Sequence, residues 1–291
     1  MFEYTQYNIA PWGYELALYF FLIGTAAMVF VAAAAPNVFG KVAAPFQNFQ
    51  ITGMIVALAI LLVCAALLII DLAQPSRFLY PILYFHWTSP LSWGALFLPL
   101  FGLSIIGFIY GVKTGKAGIT KWSGILGSLL ALSMPLYTGL DLMVHQARDV
   151  WSNPTIPVLF VILSVTSGTA LVTVILMATG KLSAEATRLI RIILYFSLGV
   201  TFWLFLGIVV TLLYGSEEQQ QAWAIINGEF ATRFWLLTFI IGILVPLALL
   251  IPPKLARNPT LVAVAAVAGA IGAYTFRAVL LYAGQLTQLY Y

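Results

Sequence analysis

The chain has 291 residues, of which 62% are apolar and only 8% charged, with a formal net charge of +4. An ordinary soluble domain carries roughly 25% charged residues. A mean hydropathy of +1.02 leaves too little polar surface to clothe a water-soluble fold, so a soluble enzyme is excluded.

A helix crosses a bilayer with about 20 apolar residues, because lipid offers its backbone no hydrogen-bond partner. Eight such runs are predicted, near 14–36, 49–73, 89–112, 119–142, 155–180, 187–214, 231–252 and 259–282. The fold class expected is an all-α integral membrane protein, read as a single transmembrane domain over 1–291. Pro36-Asn37, Gln74-Pro75, Asn153-Pro154, Gly215-Ser216 and Pro252-Pro253 punctuate the connections. The opening stretch MFEYTQYNIAPW has no basic region ahead of the first apolar run, so no cleaved signal peptide is expected. The one cysteine, Cys64, admits neither an intrachain disulfide nor a cysteine-held cluster. No basic stripe with interleaved aromatics supports a nucleic-acid partner.

The positive residues set the orientation. With the N-terminus on one side, nine of the 13 Lys and Arg fall on the other: Lys41, Lys113, Lys116, Lys121, Lys181, Arg188, Arg191, Lys254 and Arg257. Arg77, Arg148 and Arg233 fall on the N-terminal side, and Arg277 lies inside the last run. The positive-inside rule then makes the lysine-rich side cytoplasmic and puts both termini outside. The acids run the opposite way, since only Glu185 of the nine lies on the cytoplasmic side.

Glu15, Asp71 and Asp141 sit at the margins of apolar runs. Such carboxylates either face a bundle interior or rest, solvated, at headgroup level. In the fourth run Tyr137, Asp141 and His145 are spaced i, i+4, i+8, with Arg148 three residues on. If the helix continues past the apolar run, all four share one face, and a phenol, a carboxylate, an imidazole and a guanidinium in line can hold and pass protons near neutral pH. The other reading is a helix end capped by its own polar residues. Arg277 either snorkels outward or pairs with a carboxylate such as Asp141 or Glu15; the four apolar residues that follow it favour pairing. Trp12, Tyr14, Trp87, Trp93, Trp151 and Trp223 concentrate at span ends, where aromatic belts form. His86 and His145, the only histidines, both lie at the outer edge, which argues against haem ligation within the spans. Pro99 and Pro246 are candidates for helix breaks of the kind transporters use, though no internal repeat accompanies them.

Four stretches carry a family resemblance. Asp71-Leu-Ala-Gln-Pro-Ser-Arg77-Phe-Leu leads into His86-Trp-Thr-Ser89-Pro90-Leu-Ser-Trp93-Gly94. Trp12-Gly-Tyr-Glu-Leu-Ala-Leu-Tyr19-Phe-Phe-Leu-Ile-Gly24 opens the first span, and Tyr137-Thr-Gly139 precedes Trp151-Ser-Asn-Pro154 and Pro157-Val-Leu-Phe. The last span closes with Arg277 through Tyr282-Ala-Gly-Gln285. In this order they resemble the polysulfide reductase membrane-anchor family (NrfD-type proteins) over nearly the whole chain.

That resemblance implies eight helices in two four-helix bundles, with neither haem nor an iron–sulfur cluster in this protein. It also implies a quinone, menaquinone or ubiquinone, bound near the outer face as substrate. Electrons would pass between it and an extracytoplasmic four-cluster ferredoxin-like iron–sulfur subunit, beyond which lies a molybdopterin catalytic subunit or a multihaem cytochrome c. Tyr137 matches the family tyrosine that hydrogen-bonds the quinone head group. Tyr19 stands where some members have a quinone-contacting histidine, which makes Glu15, one turn earlier, a substitute. Met28 also departs from the glycine that relatives often keep.

The expectation is a quinone-reacting anchor of an anaerobic respiratory oxidoreductase in a prokaryotic cytoplasmic membrane. Its quinone pocket and support comprise Tyr137, Tyr19, Arg277, Asp71 and Arg77, and its proton relay Asp141, His145 and Glu15. The alternative is a proton- or ion-coupled transporter without a redox partner.

Overall fold

The computed structural model describes residues 12–72, 74–146, 148–252 and 255–286; Glu3 and Lys254 lie outside them. The regular structure of the described residues is all helical, with no strand. Ten helices follow in order: α1 Tyr14–Phe39, α2 Gln50–Asp71, α3 Tyr80–Leu83, α4 Pro90–Lys113 and α5 Ala117–Met143, then α6 Thr155–Ala178, α7 Ala184–Tyr214, α8 Glu217–Gly228, α9 Val245–Leu250 and α10 Pro259–Leu286. Tight 3-10 turns over Gly40–Phe49 join α1 to α2 without a break. Seven helical stretches among the described residues are long and apolar enough to cross a membrane, the first being Tyr14–Asp71, 58 residues.

Local chemistry explains the boundaries. Ser89 caps α4 by accepting the Ser92 N–H, with Pro90 at the first helical position, where its missing donor costs nothing. Ser183 caps α7 through the Ala186 N–H, and Ser216 and Gln219 form a capping box at α8. The short turns after α4 and α6 pass through Gly115 and Gly180 at φ of 69° and 65°, a region that disfavours any side chain.

The seventh predicted run differs from expectation. Residues Thr232–Leu244 wind as a π-helix, and an α-helical register returns only at α9. The wider spacing shows where Thr238 Oγ1 donates to the Arg233 carbonyl and the Val245 N–H to Ile240, each five residues back. Pro246, which has no N–H to give, sits where the register changes back. Pro99, by contrast, lies within an unbroken α4.

Helix α1 occupies the centre, packing against α2, α5, α6 and α10. Helix α4 packs on α2 and α5, while α10 packs on α6, α7 and the π-helix. Small residues let backbones approach closely. A Cβ on Gly139 of α5 would strike the backbone of Pro157 in α6. Gly139→Ala is therefore expected to cost about 2 kcal/mol, read as a lower unfolding midpoint in detergent.

Both described ends of the chain lie on one face. Trp12 N–H donates to Gln285 Oε1 at 3.2 Å, and Gln285 Nε2 returns a bond to the Trp12 carbonyl at 3.1 Å. The connections after α5 and α7 meet on this terminal face, where Ser216 Oγ donates to Asp149 at 3.3 Å. On the opposite face Lys181 reaches the Asn48 carbonyl, and Arg191 reaches those of Leu250 and Ile251.

Candidate functional site

The last two turns of α5 carry Tyr137 and Asp141. Tyr137 is 5% exposed, its ring lying so close to α4 that a Cβ on Gly94 would collide with it. Its charged neighbour is the Asp141 carboxylate, which in turn neighbours His145. Nδ1 of His145 lies 2.8 Å from the Asp141 main-chain oxygen. A carbonyl only accepts, so Nδ1 carries the hydrogen and donates, and a neutral ring keeps Nε2 free to accept a proton. Trp12 and Trp151 meet the imidazole edge-on at 5.2 and 5.7 Å and stack on each other at 5.0 Å. Tyr137 is buried, whereas Asp141 and His145 are half-buried. The three form a graded series from the interior to the terminal face.

Arg148 does not join that series. Helix α5 ends at Met143 and the backbone turns, sending the Arg148 guanidinium inward to the Gly284 and Gln285 carbonyls at 2.7 and 3.0 Å. These belong to the last turn of α10, where orphan carbonyls concentrate negative potential. Its other face covers the Trp151 ring at 5.1 Å. Trp151 departs from the expected aromatic belt too: it is fully buried and donates Nε1–H to the Leu280 carbonyl at 2.8 Å. Trp87 and Tyr14 do sit exposed at the helix ends.

The expected pairing of Arg277 with a carboxylate is overturned. Its side chain is fully buried, with Nη1 donating to the Ala273 carbonyl at 3.1 Å and Nη2 to the Phe160 carbonyl at 2.9 Å and Ser164 Oγ at 2.7 Å. The guanidinium also lies over the Phe160 ring, and Nε has no partner. Depth is the reason. Arg277 is nine residues from the end of α10, about 14 Å at 1.5 Å per residue, whereas Asp141 is two residues from the end of α5, about 3 Å. Gly24 of α1 makes room for this cage, since a Cβ there would strike Ser164 and approach Nη2.

Tyr19 is five residues into α1 and Tyr137 six from the end of α5, so the two phenols lie at similar depths, about 8 and 9 Å, on helices that pack together. The Tyr19 hydroxyl is buried with no hydrogen-bond partner. An orphaned buried hydroxyl carries a desolvation cost, which a ligand oxygen would relieve, so the residues present fit a head group that needs hydrogen bonds. Glu15 lies at the rim instead. It is exposed, with its carboxylate folded back over Gly13, and it is the charged neighbour of Asp71 and Tyr282. Arg77 is exposed in the loop after α2, over the Tyr80 ring at 5.4 Å.

Large grooves open elsewhere, toward the lipid side. One of about 730 Å³ lies between α4 and α5, and others of about 590 and 420 Å³ lie along α6 and α10. Among the described residues no group of three or more His, Cys, Asp or Glu side chains is placed to hold a metal ion.

The family model for polysulphide reductase, NrfD, matches residues 3–288. The chain belongs to the NrfD family. Its relatives include the protein NrfD homolog of Haemophilus influenzae, 26% identical over 95% of each protein. One of the polysulfide reductase chains of Wolinella succinogenes is 24% identical over 96% of each. One of the tetrathionate reductase subunits of Salmonella typhimurium is 31% identical over 51% of this protein and 43% of its own length. This NrfD-family member is thus a multi-pass membrane protein similar to proteins named as subunits of reductases.

Proposed function

We propose that the protein is the quinone-reacting membrane anchor of a respiratory oxidoreductase, with menaquinone or ubiquinone as its membrane substrate. The observation that carries this reading is the series Tyr137–Asp141–His145, from a buried phenol to a half-buried imidazole, together with the orphaned hydroxyl of Tyr19 at a similar depth on the neighbouring helix. Oxidising a quinol releases two electrons and two protons, and reduction of the quinone takes up the same. Tyr137 and Tyr19 donate hydrogen bonds to the ring oxygens. Asp141 carries protons between that site and Nε2 of His145. Arg277 supports the pocket from beneath by tying α10 to α6. Asp71 and Glu15 form a carboxylate rim, with Arg77 on the loop beside it.

The protein crosses the membrane eight times in this reading. A straight 58-residue helix would span about 87 Å, whereas the hydrocarbon layer is about 30 Å thick; α1 packs back along α2, so Tyr14–Asp71 supplies two crossings. Helices α1, α2, α4 and α5 form one four-helix bundle. Helices α6, α7, the π-helix with α9, and α10 form the second. The basic residues place the terminal face outside a prokaryotic cytoplasmic membrane, where a four-cluster ferredoxin-like iron–sulfur subunit docks, followed by a molybdopterin catalytic subunit or multihaem cytochrome c. The names of the polysulfide and tetrathionate reductase relatives support such an assembly.

Purification of the tagged protein from its native membranes tests the proposal. Co-isolation of an iron–sulfur subunit, with quinol-driven electron transfer blocked by a quinone analogue, is the expected result. A lone polypeptide that conducts ions would favour a transporter and end this reading. Within the complex, Asp141→Asn is expected to lower turnover by about a hundredfold, as for loss of a proton-transfer group, with little change in quinone-analogue affinity; an unchanged rate would remove Asp141 from the relay.

A further inference from the structure

Arg277 is a full positive charge, since a guanidinium does not deprotonate in proteins, and it is enclosed by α1, α6 and α10. Its oxygen partners are two carbonyls and a hydroxyl, and no described carboxylate pairs with it. It lies 18 residues from the cytoplasmic end of α10, about 27 Å along the helix. Of the eight described acids, seven belong to the terminal side or to the outer ends of helices, and the eighth, Glu185, is exposed at the start of α7. Deeper than Arg277 the hydroxyls are few: Ser167 Oγ lies 3.3 Å from the Ser164 carbonyl and meets Thr25 Oγ1 at 2.8 Å across α6 and α1, and below them Thr173 returns to the Thr169 carbonyl of its own helix. The space enclosed by α6, α7, the π-helix and α10, near Thr166, Thr201 and Thr238, is too tight for a water molecule.

A fixed cation in a narrow, dry passage repels protons and other cations, the device by which water channels exclude them. We propose that Arg277 is an electrostatic plug that bars protons and cations from crossing the protein, so that proton exchange at the Tyr137 site is confined to the terminal face. The second half of this inference rests on the quinone reading; the plug itself does not. For each quinol oxidised, two O–H bonds break. Both electrons leave to the iron–sulfur partner, and both protons pass by Asp141 and His145 to the terminal side. Quinone reduction draws both protons from that same side.

The test uses the whole complex in liposomes, soluble subunits outward, with pH dyes inside and outside. During quinol oxidation, with ferricyanide outside as an electron acceptor that binds no proton, one proton per electron should appear outside, with no proton taken from the lumen. Lumen alkalinisation coupled to electron flow overturns the inference. Without electron donor, passive proton entry under a potassium diffusion potential is compared for three forms. Wild type and Arg277→Lys should be equally tight, while Arg277→Ser, which replaces the guanidinium with a hydratable hollow facing Ser164 and the Phe160 carbonyl, should leak about tenfold faster. A serine variant as tight as wild type removes the plug. Should that variant not assemble, Arg277→Gln, which removes the charge and keeps most of the volume, takes its place in the leak comparison, and a glutamine variant as tight as wild type likewise removes the plug. Absence of quinol turnover would defeat the quinone reading, while the passive-leak comparison would still decide the plug.

Discussion

Tyr137→Phe is expected to lower quinol-dependent turnover of the assembled complex about ten- to hundredfold, with weaker binding of quinone analogues. The substitution removes one oxygen. The ring that packs on α4 at Gly94 stays, so the helix contacts and the unfolding midpoint should be unchanged. A phenol whose only role is packing predicts the opposite: unaltered turnover and affinity in Tyr137→Phe. Tyr19→Phe separates the two phenols. Its hydroxyl has no protein partner, so its removal relieves a buried orphan and should leave stability equal or higher while turnover falls. Retained activity in both variants would remove the quinone site from this part of the molecule.

Gly272→Val should destabilise the protein by about 3 kcal/mol or more. A Cβ at Gly272 of α10 meets the Cα of Gly242 in the π-helix, and a Cβ at Gly242 meets Gly272 in return. Neither clash can be relieved by rotating a side chain, because both obstacles are backbone. The whole segment would have to move away from α10, exposing Phe276 and Phe234, which are fully buried. Gly199→Ala in α7 is the matched control. A Cβ there meets nothing within 4 Å, and alanine favours a helix over glycine by about 0.5–1 kcal/mol. Unfolding midpoints in detergent should therefore move in opposite directions. Equal losses in both variants would mean that glycine content, rather than the Gly242–Gly272 contact, sets the response.

The helices were legible because lipid imposes a simple rule on length and polarity. The run near 89–112 is α4 at Pro90–Lys113, and the run near 187–214 is α7 at Ala184–Tyr214. The π-helix was not legible, since an apolar stretch such as Thr232–Leu244 looks alike at four- or five-residue spacing. Only Pro246 hinted at a change of register. Within the site, the spacing of Tyr137, Asp141 and His145 did put three titratable groups in one neighbourhood. It failed at Arg148, because helical spacing holds only while the helix lasts, and α5 stops at Met143. The partner of Arg277 was misjudged for a different reason. Charges in a sequence invite pairing with opposite charges, whereas main-chain oxygens, the partners it found, belong to every residue and leave no trace there. Ser164 could have been found by depth: it is nine residues from the terminal end of α6, as Arg277 is from that of α10.

The clasp between Trp12 and Gln285 carries a consequence for how the molecule is made. Helix α1 finishes its interface only with α10, more than 200 residues further along the chain. Until α10 is synthesised, α1 lacks the neighbour that holds Trp12, and Arg148 and Trp151 wait for carbonyls that do not yet exist. Assembly of the terminal face therefore waits for α10, and a message truncated before Arg277 yields a product missing both its clasp and its buried cation.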